Sequence, residues 1–113
     1  MVISAPHTEH APALALEDAA QCFAAVGAEP RLEVLLALVR VGPDGMTVGE
    51  IQARLGVPAS TLAHHLRFLT AAGLVDQEKQ GRRVVNRAAF DRIQALADYF
   101  VCECCTEEWS KAG

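Results

Sequence analysis

Three of the four cysteines fall within four residues, at Cys102, Cys104 and Cys105. Thiolates are soft donors that select soft or borderline acceptors, so the cluster points to a soft metal or metalloid, or to redox chemistry. A structural disulfide is not the default in a reducing cytosol, and vicinal cysteines bridge poorly because the peptide between them is strained. Cys22 is a rival third ligand, although a buried apolar thiol is the plainer reading of it. His7 and His10 form a second candidate ligand pair, in a stretch that reads more simply as a frayed terminus.

A different constellation sits mid-chain. Gly56-Val57-Pro58 breaks the preceding element, and Ser60 is placed to accept from first-turn amides of a new helix. Leu62, Leu66 and Leu69 then form one apolar stripe at helical spacing. Ser60, Thr61, His64 and Arg67 occupy the other side, while His65 falls at the stripe's edge, where an orienting or packing role suits it. A small, polar first turn suits the second helix of a helix-turn-helix, whose N-terminal residues reach base edges. Taken alone, the same pattern fits any amphipathic helix with a solvated face.

The surrounding elements decide between these readings. Residues 1–15 read as a flexible tail, and acids at Glu17 and Asp18 suit a helix start. Glu29-Pro30-Arg31 opens a second helix with the stripe Leu32, Leu35, Leu36 and Val39, ended by Gly42-Pro43. Thr47 and Glu50 form a capping-box pair for a short third helix. After Gly73 the period changes: residues 74–79 and 83–87 flank Gln80-Gly81-Arg82 as a hairpin, and residues 89 to about 102 form a last helix with Phe90, Ile93, Leu96, Ala97 and Phe100 on one stripe. The order α-α-α-α-β-β-α is mainly helical with one small hairpin, a winged helix-turn-helix over residues 16–105, followed by a tail at 106–113. In that order Lys79, Arg82 and Arg83 sit on a wing that meets phosphates or the minor groove.

The charge distribution agrees. The 113 residues carry a net charge of −4. Residues 1–53 hold seven acidic and two basic groups, residues 54–92 seven basic and three acidic, and residues 93–113 four acidic and one basic. A basic middle between acidic ends is a localised footprint for phosphate. Hydrophobic content of 51% with 5% aromatic favours helices over a sandwich, and a domain this small and apolar often covers part of its surface with a second subunit. No apolar run reaches 18 residues, so no membrane partner is expected, and without a secretory pattern the expected location is the cytoplasm.

Glu29-Pro30-Arg31-Leu32, Ser60-Thr61-Leu62-Ala63-His64-His65-Leu66, Ala71-Ala72-Gly73-Leu74-Val75, and Gly81-Arg82-Arg83 with Asn86 resemble the ArsR/SmtB metalloregulators across about residues 17–105. The resemblance implies a homodimeric repressor, paired through its first and last helices, that leaves double-stranded operator DNA when a metal or metalloid binds. The arsenic site of the founding members is absent, because Val48-Gly49-Glu50-Ile51 contains no cysteine; a zinc-type site on the last helix is disfavoured because no histidine follows Leu66. Cys104-Cys105 is similar to the pair in a subgroup of arsenite-responsive members. As(III) and Sb(III) form pyramidal adducts with three thiolates, so Cys102, Cys104 and Cys105 are the expected effector site. On a regular helix Cys102 and Cys105 share a face that Cys104 does not, so convergence requires the helix to end or unwind near Cys102. A thiol-based redox switch, a soft-metal site and a small thiol-dependent enzyme such as an arsenate reductase are the alternatives. The enzyme is disfavoured because no anion-cradling loop surrounds the cluster.

Overall fold

The computed structural model describes residues 14–112, with side chains through Cys102. His7, His10 and the side chains of Cys104, Cys105 and Trp109 lie outside the described residues. The elements are α1 (Leu16–Val26), α2 (Glu29–Val41), a 3-10 turn (Gly42–Asp44), α3 (Val48–Leu55), α4 (Ala59–Ala71), β1 (Val75–Gln80), β2 (Arg83–Ala88) and α5 (Phe90–Ala112). This is the expected winged helix-turn-helix.

Each helix is started and stopped by local chemistry. Glu17 and Asp18 stand in the first turn of α1, whose buried face is Ala19, Cys22 and Ala25. Small side chains let α1 approach closely, and Cys22 Sγ donates to the Ala72 carbonyl at 3.4 Å. The Thr47–Glu50 capping box opens α3: the Thr47 amide donates to Glu50 Oε1 at 2.8 Å and the Glu50 amide to Thr47 Oγ1 at 3.2 Å. Gly56, at φ +70°, ends α3 in the left-handed conformation that glycine adopts without steric cost. Leu62, Leu66 and Leu69 of α4 are buried as expected, in a core shared with Leu38, Ile51, Leu74 and Val75.

Three expectations are corrected. Pro58, not Ser60, occupies the N-cap of α4, so no side chain caps that helix and Ser60 lies inside its first turn. The buried face of α2 is Val34, Leu35, Ala37 and Leu38, whereas Leu32 and Leu36 are exposed. Glu29, Glu33 and Arg40 form a polar stripe that takes Leu36 with it to the exposed side, and the opposite side packs against α4 and β2. Finally, α5 continues to Ala112, well past the end expected near Cys102. No glycine or proline interrupts the sequence between Cys102 and Ala112.

The hairpin is antiparallel, with Val75 opposite Ala88 and Gln80 opposite Arg83, leaving Gly81-Arg82 as a two-residue turn with Gly81 at φ +65°. Its base is locked by the fully buried Asn86. The Asn86 side-chain amide donates to the Met46 carbonyl at 3.1 Å, Gln77 Nε2 donates to Asn86 Oδ1 at 2.7 Å, and the backbones of Met46 and Asn86 exchange bonds of 2.9 and 2.8 Å. At the open end of the hairpin the Ala89 amide donates to the Leu74 carbonyl at 2.8 Å, and Ile93 and Leu96 of α5 pack on the core. Among the described residues no helix is long and apolar enough to cross a membrane.

Candidate nucleic-acid interface

The outward side of α4 carries the residues singled out from sequence. Ser60, Thr61, His64 and Arg67 are all exposed, opposite the buried leucines. Without a side-chain cap, the positive end of the α4 dipole lies beside Ser60 and Thr61, a setting that favours an anion.

Lys79, Arg82 and Arg83 are likewise exposed at the hairpin tip. Strand geometry divides them: Lys79 is paired with Val84, whereas Arg83 is paired with Gln80, so Lys79 and Arg83 face opposite sides of the ribbon with Arg82 at the turn. A ribbon with cations on both sides and at its end suits a groove walled by phosphates on either side. Hydrogen bonding to the Thr47 backbone amide, then to the Thr47 side chain, and last the positive charges of Arg83 and Arg54 hold the Glu50 carboxyl below its usual range.

Not all the central basic charge belongs to this face. Arg87 Nε donates to the Pro43 carbonyl at 2.8 Å and its Nη1 bonds Glu78, tying β2 to β1 and to the 3-10 turn. The Arg92 guanidinium lies over Gly73, 2.9 Å from where a Cβ would project. These two arginines brace the wing and the start of α5, leaving Arg54, Arg67, Lys79, Arg82 and Arg83 exposed.

Two residues beside the face escaped the sequence reading. Phe68 of α4 is 45% exposed, and the Arg31 guanidinium lies 4.5 Å from its ring centroid. Phe68 stands four residues after His64, the spacing that brings side chains together on a helix, and this was the available signal. The neighbouring His65 is half-buried as expected, with Nδ1 shielded and without a protein partner among the described atoms. Burial, and then the positive charges of Arg31 and His64, hold its pKa below the ordinary histidine value.

The cysteines are separated in depth. Cys22 is fully buried, and burial pushes its thiol pKa up. Cys102 is exposed on α5. The backbone is helical through Cys104 and Cys105, so in this conformation the three C-terminal cysteines occupy positions along one continuous helix.

Comparison with known proteins agrees with this geometry. A helix-turn-helix domain model matches residues 28–78, from the start of α2 into β1. The uncharacterized HTH-type transcriptional regulator MJ1325 of Methanocaldococcus jannaschii is 40% identical over 80 residues, covering 71% of this chain and 88% of the relative. An ArsR-like transcriptional regulator from Rhodococcus sp. RHA1 superimposes with a TM-score of 0.69 at 30% identity, over 86% of this chain and 87% of its own. A protein described as a possible transcriptional regulator for arsenical resistance matches at 28% identity and a TM-score of 0.58, over 74% of this chain and 83% of its own. Fold and exposed basic face together define a DNA-binding winged helix-turn-helix regulator. The chain belongs to the ArsR-like family of transcriptional regulators.

Proposed function

We propose that this chain is a homodimeric repressor that holds operator DNA through α4 and the wing and releases it when As(III) or Sb(III) binds Cys102, Cys104 and Cys105. The observation that carries the DNA half is the common exposure of Ser60, Thr61, His64 and Arg67 on α4 beside a wing bearing Lys79, Arg82 and Arg83. Leu16, Phe23, Phe100 and Val101 support a dimer: all are exposed apolar residues on α1 and α5, and Phe23 meets Phe100 edge-on at 5.9 Å between centroids. The effector half rests on the thiol cluster and on the likeness to the protein described as a possible transcriptional regulator for arsenical resistance. Arsenous acid condenses with three thiols, forming three As–S bonds and releasing three waters, with no change of oxidation state. Because α5 is continuous through the cluster, gathering Cys104 with Cys102 and Cys105 unwinds it locally, which alters the helix that also carries Phe100 and Val101. Cys22 is a poor ligand while buried and protonated.

Fluorescence anisotropy on a duplex from the promoter of its own gene tests this. Arsenite is expected to release the wild type and the Cys22→Ala variant, but neither Cys104→Ser nor Cys105→Ser. Full arsenite release of both serine variants contradicts the site. Release by peroxide and not by arsenite replaces the metalloid with a thiol–disulfide switch.

A further inference from the structure

Phe68 lies outside the buried stripe of α4, which is Leu62, Leu66 and Leu69, and is 45% exposed. It has two ordered neighbours. His64 meets the Phe68 ring edge-on, with centroids 5.0 Å apart and planes at 79°. The Arg31 guanidinium lies over the same ring at 4.5 Å. Arg31 is itself fixed: its Nε donates to the Ala25 carbonyl at 2.7 Å and its Nη2 to the Ala24 carbonyl at 3.1 Å. Those carbonyls lie in the last turn of α1, where a helix has acceptors without intrahelical donors. A planar fork that bonds two carbonyls while stacking on an aromatic face is a task for arginine and not for lysine.

We propose that Phe68, clamped by Arg31, is a positioning residue that holds the exposed imidazole of His64 in the orientation used to contact DNA. An exposed histidine otherwise samples several rotamers and must be ordered when it binds. Here the edge-to-face packing within one helical turn supplies that order before DNA arrives. His65, turned half inward, takes no part in DNA binding, so the two adjacent histidines divide into one that packs and one that reads. The clamp also joins the C-terminal end of α1, which carries the apolar residue Phe23, to the reading face of α4. The inference rests on the proposed DNA-binding role of α4 and deepens it.

Two measurements test it. In the absence of DNA, the His64 ring protons should carry a ring-current shift in the NMR spectrum that Phe68→Leu abolishes; Arg31→Met should reduce it. With DNA, a double-mutant cycle on the promoter duplex separates positioning from simple packing. His64→Ala, Phe68→Leu and Arg31→Met are each expected to weaken promoter binding about five- to tenfold, with unchanged affinity for a scrambled duplex. Phe68→Leu combined with His64→Ala should bind no more weakly than His64→Ala alone. Additive losses, equal losses on both duplexes, or an unshifted His64 resonance overturn the positioning role while the DNA-binding function stands. No binding of the promoter duplex by the wild type overturns both.

Discussion

His65 keeps Nδ1 in a shielded position on the inner edge of α4, where burial first, and then the charges of Arg31 and His64, disfavour its protonated form. Its pKa in the folded protein therefore lies below the ordinary value of 6.5. Between the folded and unfolded values the unfolded chain binds more protons, so stability falls as the pH drops below about 6.5 and rises again with pH. Urea midpoints compared at neutral and mildly acid pH should show this loss for the wild type and a smaller one for His65→Gln; equal losses contradict it. Thr47 offers a second residue-scale check. Thr47→Ala removes one half of the α3 capping box and should cost about 1 kcal/mol in a denaturant titration. The capping pair was legible because Thr and Glu three apart state their own geometry. The capping role expected of Ser60 fails because the proline two residues earlier itself stands at the N-cap. The clamp on Phe68 was not legible at all, since Arg31 lies on another helix and no local pattern links them.

Among the elements, α4 was readable because polar residues separate Leu62, Leu66 and Leu69 into a single stripe. In α2 the stripe Leu32, Leu35, Leu36 and Val39 ignores the polar spacing of Glu29, Glu33 and Arg40, which puts Leu36 on the exposed side and leaves Val34, Leu35, Ala37 and Leu38 as the choice for the core. The choice is measurable: Leu38→Ala, in the fully buried face, should cost about 2–5 kcal/mol, and Leu36→Ala, on a face 36% exposed, clearly less. Similar costs would contradict the orientation of α2. The wing was legible from Gly81 between two short basic and apolar runs, but its anchor was not. Asn86 is bonded to Met46, which lies 40 residues away in sequence, and only the tertiary fold brings them together. The end of α5 was placed too early because the cysteines change the composition without breaking the helix.

At the scale of the molecule, α1 and α5 bear exposed apolar residues, while α4 and the wing bear an uncapped helix start and exposed cations. This division accounts for a net negative chain that nonetheless has a place for DNA, because phosphate senses the local charge and not the total. Phe23→Glu together with Phe100→Glu should shift the sedimentation of the protein toward monomer; an unchanged dimer would move the interface elsewhere. The seating of α4 and the wing on DNA is tested most directly by the salt dependence of binding to the promoter duplex. For the wild type, log K should fall linearly with log salt. Replacing Lys79, Arg82 and Arg83 by Ala should make that slope shallower by roughly 0.9 for each phosphate that is no longer neutralised. A slope and an affinity that match the wild type in the triple variant would contradict the seating.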